Sequence, residues 1–440
     1  MYSEEKQTST QVADVSADAT VSTDMLVNNI VYRQPSALSL ATQRSYARHF
    51  PQVQTYSAGQ TMVLDLTSGS SYIDAENSYL TFKVQLVTSA GPITANFGSG
   101  SAMNLIRQVT IRSRSGTELD RVELANVWSR LEYSNQLSDA YLVRQGAMEG
   151  WGKLRTPADA AVLSDTVATR FCLPLSRLSH FFKPGQKGQK MPPQLISGLH
   201  IEIIFEDVRT ACTLKAPSVA GSFAGYTVSN IALVTDSIMM TDDVQRTINT
   251  ESAKNGLEVC YDRVFTAQTA MAINASSANI SVRKAVSQCK IAYTVCMDKT
   301  KVLDVSADSF LSVPFDATSW QYRIGSLYLP REQIQTDGTI NDATESYLQQ
   351  LQTWQKLKNT CEESSVSLDD FKNVSGVLAA SFERDQELEL SALPVNNSRT
   401  VELDVQFSTV TSANLTRQLV TFLQYCSVSR SFIDSTSSSI

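Results

Sequence analysis

The sequence predicts an all-β chain built as two consecutive β-sandwiches with short helices in the loops. Three observations carry this. Many short runs alternate apolar and polar residues, the mark of strands with one face buried. The order strands, helical excursion, strands occurs twice along the 440 residues, and a chain of that length can fill two layered cores. No run approaches the roughly 18 apolar residues of a membrane span, and no tandem sequence repeat is visible.

The chain opens with an expected flexible arm over residues 1–55. Met1–Ile30 carries one Lys against five acidic residues, eight Ser or Thr, and no aromatic after Tyr2. Such a segment cannot bury enough apolar surface to order itself. Arg33, Arg44, Arg48 and His49 then form a mildly basic patch before Pro51, too sparse for a nucleic-acid arm. The expected role is a peptide lying along a neighbouring subunit.

The first sandwich is expected over residues 56–240. Leu80, Phe82, Val84 and Leu86 alternate with Thr81, Lys83 and Gln85, one face in and one face out. Residues 88–101, rich in Ser and Gly, read as a loop. The stretch Ser101–Leu131 shows the pattern most fully. Val109 and Ile111 oppose Gln108, Thr110 and Arg112; Ser115-Gly116 supplies a turn; Leu119 and Val122 resume the strand. From Glu123 the period changes, with Leu124, Val127, Trp128 and Leu131 at helical spacing. Asp139–Asp165 is irregular, with Trp151 to pin it. Lys183–Pro193 is a loop, and its spacing is not that of a phosphate-cradling GxxxxGK[ST]. Leu199, Ile201, Ile203 and Phe205 form another strand; Glu206–Tyr226 reads as a long loop, and Ile231 and Leu233 begin the closing strand.

Residues 241–255 form the expected connector, with helical spacing at Val244 and Ile248. The second sandwich is expected over 256–430. Ile291, Tyr293, Val295 and Met297 alternate; so do Ile324, Leu327 and Leu329 around Gly325, less regularly, and Val401, Leu403, Val405 and Phe407. Leu419–Tyr425 is nearly continuous apolar, as a strand buried on both faces would be. Tyr347, Leu351, Trp354 and Leu357 mark one face of a helix near Thr344–Lys358, expected to pack on the sandwich's own flank. Residues 431–440 are a polar C-terminal tail.

Four stretches resemble double jelly-roll major capsid proteins. They are the Ser101–Leu131 unit; SYIDAENSYLTFKVQL at Ser71–Leu86; LPLSRLSHFF with PPQLISGLHIEIIF; and WQYRIGSLYLP at Trp320–Pro330. The resemblance is to the proteins of polinton-like viruses and virophages, and more distantly to the adenovirus and large-DNA-virus lineage. It implies that both sandwiches are jelly rolls, which strand periodicity cannot establish. It further implies a homotrimeric, pseudo-hexameric capsomer tiling an icosahedral shell of a double-stranded DNA virus. The implied partners are further copies, minor capsid proteins and penton proteins. The implied location is the virion, with synthesis in the host cytoplasm or nucleus. A minor capsid or spike protein, or a carbohydrate-active β-sandwich enzyme, is the alternative.

Motifs for chemistry are missing. The formal charge of −7 does not suit a phosphate-backbone binder, so no direct sequence-specific nucleic-acid binding is expected. Seven cysteines without a CxxC pair argue for free buried thiols rather than a zinc site or a disulfide framework. Cys289 and Cys296 lie too far apart along one strand to be bridged. The N-terminus lacks a basic region followed by an apolar one, so a cleaved secretory signal is not expected, and the five sequons at Asn274, Asn279, Asn373, Asn396 and Asn414 are expected to be unused. Of three histidines, His49, His180 and His200, only His200 shares a strand face with an acid, Glu202, and no third ligand is near in sequence. That makes a cupin-like metal site unexpected. Asp242-Asp243 and Glu362-Glu363 read as solvated charge. The expected catalytic, cofactor and metal residues are therefore none.

Overall fold

Alternation becomes strands, and the strands build two lobes of one design. The computed structural model describes residues 41–439 apart from 153–160, 184–189, 216–222, 357–362, 385–391, 397–399, 409–415, 432–436 and the single positions 274, 303 and 315. Eight main strands form the first lobe: β1 (Ala41–His49), β2 (Thr61–Leu66), β3 (Tyr72–Thr88), β4 (Ile106–Arg112), β5 (Glu118–Glu123), β6 (Thr169–Pro174), β7 (Leu199–Phe205) and β8 (Phe223–Met240). Eight more form the second: β9 (Leu257–Ala270), β10 (Ser277–Val282), β11 (Val286–Asp298), β12 (Ala317–Ile324), β13 (Leu327–Gln335), β14 (Val377–Ser381), β15 (Val401–Phe407) and β16 (Arg417–Ser431).

Sheet order shows the duplication. The first lobe stacks β1-β8-β3-β6 on β2-β7-β4-β5, and the second stacks β9-β16-β11-β14 on β10-β15-β12-β13. Each strand of the second lobe holds the place of the strand eight earlier. All these pairings are antiparallel.

The helices fall between the lobes' strands. Helix α1 (Ala125–Gln136) follows β5, and α2 (Asp242–Asn255) joins the lobes. Helices α3 (Thr344–Thr353) and α4 (Leu368–Asn373) follow β13. Asp242 and Asp243 occupy the first turn of α2, where the helix dipole favours carboxylates.

Several expectations change. Ala41–His49, placed by sequence in the arm, is edge strand β1 paired along β8. Gln43–Phe50 is exposed or half-exposed throughout, so it has no apolar alternation to read. Helix α1 runs five residues past Leu131. Its tail, Glu132–Gln136, is polar yet buried as far as Asn135. Strand β11 is buried on both faces rather than one. Ile291, Tyr293 and Val295 join the core that continues from the first lobe, while Ala292 and Cys296 join the second lobe's interior. In α3 Ser346, Gln350 and Thr353 are buried too; of the face read from sequence, Trp354 is buried and Tyr347 packs against the core, while Leu351 is only half-buried. Leu357 lies outside the described residues. Glu206–Tyr226 holds a short helical turn, Val208–Ala211, and β8 already begins at Phe223.

Candidate assembly interface

A cluster of charged and polar side chains lies where the lobes meet. Edge strand β5 turns into α1 through Leu124, held in the left-handed region at φ 51°, which costs a branched side chain energy and fixes a sharp corner. That corner aims β5 at β9. Arg263 of β9 places Nε 3.3 Å from Asp120 and Nη2 3.5 Å from Glu118. The Tyr261 hydroxyl donates to the Leu119 carbonyl at 2.6 Å, and the Thr266 hydroxyl to the Glu123 carbonyl at 3.0 Å. An exposed strand edge invites uncontrolled pairing; here two carbonyls of β5 are capped by hydroxyls of the neighbouring lobe. The Phe181 ring meets Tyr261 edge-on, centroids 5.1 Å apart.

Farther along, the tail of α1 meets the second excursion. Gln350 of α3 donates to Asn135 at 2.7 Å and accepts from the Val377 amide at 2.9 Å. Arg130 donates to the Val374 carbonyl, and the Ser365 amide to the Leu137 carbonyl, both at 2.8 Å. Asp308 accepts from the Ser99 amide at 2.9 Å. A Cβ at Gly98 would lie 2.6 Å from that carboxylate, and its φ of +60° also demands glycine. These contacts explain the burial of Ser134 and Asn135, whose partners Ser365 and Gln350 come from the other lobe, while Glu132 and Tyr133 meet His180 and Ser176 of their own lobe.

Burial and pairing shift the charges here. Burial pushes the Asp120 carboxyl above its usual range, and the Ser179 hydroxyl and Arg263 pull it back in part. Burial opposes the His180 imidazolium, but Glu132, 2.6 Å away, outweighs it and moves its pKa up. Burial also lowers the pKa of Arg130. These are buried structural partners in and beside the seam.

The sites read from sequence stay apart. His200 gains Asp65 from the neighbouring strand, Oδ1 2.6 Å from Nδ1, a third member that sequence spacing could not show. Glu202 lies 3.7 Å from the other ring nitrogen and is bound by Arg112 at 2.8 Å. The two carboxylates flank opposite ring edges and cannot share an ion with the imidazole. Among the described residues no group of three His, Cys, Asp or Glu could hold a metal. Lys190 binds Asp74, while the centre of its lysine-rich loop lies outside the described residues, as do Arg33, Glu362, Asn274 and Asn414. Asn279, Asn373 and Asn396 are exposed. Six described cysteines are free, and burial pushes Cys212, Cys289 and Cys296 up to about 12, which disfavours thiolate chemistry. The Sγ atoms of Cys260 and Cys426 lie 2.7 Å apart on β9 and β16. Cys361 lies outside the described residues. A cavity of about 170 Å³ lies in the second lobe, beside Asp298, Lys301, Asp308 and Arg417.

Sequence reasoning missed Asp120, Asn135, Tyr261, Arg263 and Gln350. Each takes its partner from more than a hundred residues away, for example 142 for Tyr261 and 215 for Gln350. No local spacing signals such a pair.

No protein-family model matches the sequence, and no curated protein does. Among solved structures, the chain is similar to PBCV-1 VP54, as fitted into a reconstruction of the virophage Sputnik. The TM-score is 0.62 at 11% identity, over 93% of this chain and 98% of that one. A chain of the Sputnik virophage matches at TM-score 0.54 and 10% identity, covering 93% of this chain and 90% of its own. The mavirus major capsid protein matches at 0.51 and 8%, covering 93% and 94%. The fold of this chain is accordingly the double jelly roll found in major capsid proteins of large DNA viruses and virophages.

Proposed function

We propose that the chain is a major capsid protein, a structural component of the virion and not an enzyme. Three copies would form a pseudo-hexameric capsomer, and capsomers would tile an icosahedral shell around double-stranded DNA. The observation that carries this is the duplicated topology: two lobes of one strand order, fixed to each other by the β5–β9 joint. Three such chains present six similar lobes, the number a hexagonal tile needs. The similarity to VP54 and the mavirus protein across nearly the whole chain supports the reading. With a charge of −7, the shell leaves contact with the genome to other components. Partners would be neighbouring capsomers, minor capsid proteins and penton proteins, in a polinton-like virus or virophage. Synthesis would take place in the host cytoplasm or nucleus, and residues 1–40 would tether adjacent subunits. Light scattering and negative-stain microscopy of the full chain test this. The expected result is a trimer with a six-lobed outline at micromolar concentration; a monomer overturns it.

A further inference from the structure

The joint inside the chain describes the joint between chains. Rows of strands correspond by eight, so β5 of the first lobe corresponds to β13 of the second, and β9 to β1. Inside the chain β5 seats on β9. Their counterparts, β13 and β1, are the remaining edge strands of this kind. Among the described residues no strand pairs with the free edge of either.

Both edges carry contact chemistry that the chain itself leaves exposed. Strand β9 engages β5 through Tyr261 and Arg263; β1 carries Tyr46 and Arg48 in the same Tyr-x-Arg order, with Tyr46 65% exposed and Arg48 exposed. Strand β13 presents Leu327 and Tyr328, 43% and 44% exposed, and an exposed Glu332. Two large apolar side chains beside an open strand edge are what a soluble surface normally avoids.

We propose that β13 of one copy docks on β1 of the next, head to tail, in the manner of β5 on β9. The inference rests on the capsomer reading and names its surfaces. The partner is a second copy of this chain, because the two edges repeat the design of an interface the chain already makes. Such a contact joins different patches on the two copies, so it is heterologous and closes only as a ring. Three copies close it, with joints inside and between chains alternating around six lobes.

Two full-length variants test this: Tyr46→Glu with Arg48→Glu, breaking the β1 edge, and Leu327→Glu with Tyr328→Glu, breaking the β13 edge. All four positions are exposed, so circular dichroism and melting should match the wild type; if either variant unfolds, Tyr46→Ser and Tyr328→Ser replace them. In analytical ultracentrifugation each variant should lose the trimer, its dissociation constant raised about thirtyfold or more. An equimolar mixture retains one intact β13 edge and one intact β1 edge, and should give a heterodimer that grows no further. A wild-type trimer whose variants remain trimeric, or whose mixed variants stay monomeric, overturns the docking and leaves the capsomer reading standing. A wild type that is itself monomeric overturns both.

Discussion

The large sheet of each lobe has an outward face, and the two faces differ in chemistry although the strands correspond one to one. In the second lobe this face carries Ile291, Tyr293 and Val295 on β11 with Val420 and Phe422 on β16, all buried under the first lobe and the helical excursion. In the first lobe it carries Arg44, Tyr46 and Arg48 on β1, Lys83 and Gln85 on β3, and Arg170 on β6, exposed or half-exposed. The difference follows from whether the chain itself covers each face. The second lobe's face is covered as the chain folds, so it can be as apolar as a domain core. The first lobe's face meets solvent in the folded chain, and an apolar patch there would be a liability. A copy docking on that face, as proposed above, would meet the more polar of the two.

The largest effect should separate the two faces outright. Phe422→Asp places an unpaired charge in the seam, which costs several kcal/mol, comparable to a domain's whole stability. Soluble folded protein should be lost. Lys83→Asp, on the corresponding face of the first lobe, should stay within about 0.5 kcal/mol of wild type. Soluble yield and circular dichroism decide; equal behaviour would break the comparison.

Next in size is Arg263→Ala. It strips the partner from buried Asp120 and should cost about 3 kcal/mol in urea unfolding. Arg48→Ala, at the corresponding edge, should change unfolding by less than about 0.5 kcal/mol at a concentration where the chain is monomeric. Tyr261→Phe leaves the Leu119 carbonyl without its hydroxyl donor and should cost about 1–2 kcal/mol; Tyr46→Phe under the same dilute conditions should cost nothing measurable.

The smallest effect is a pH dependence on the first lobe's side of the seam. Glu132 holds the folded-state pKa of His180 above its ordinary 6.5. The resulting stabilisation is complete below pH 6.5 and is lost as the pH rises through the folded value. The wild-type urea midpoint should therefore decline as the pH climbs above 6.5, and His180→Gln should flatten that decline. A variant that keeps the wild-type slope would remove His180 from the seam's electrostatics.

Sequence by itself determined the strands that have one wet face and one dry face. Leu80, Phe82, Val84 and Leu86 are buried as their alternation says, and Gly116, at φ +84°, makes the turn read at Ser115-Gly116. It also placed the two helical excursions and the nearly continuous apolar strand at Leu419–Tyr425, because period and run length are local properties. Strand order, and with it the correspondence of lobes, came only from the tertiary structure, since period says nothing about which strand lies beside which. The same holds for β1, which is exposed or half-exposed from Gln43 to His49 and carries no pattern, and for Ser134, Asn135 and Gln350, polar residues buried because the other lobe supplies their partners. A side chain whose surroundings are set by residues more than a hundred positions away leaves no trace in its own neighbourhood of the sequence.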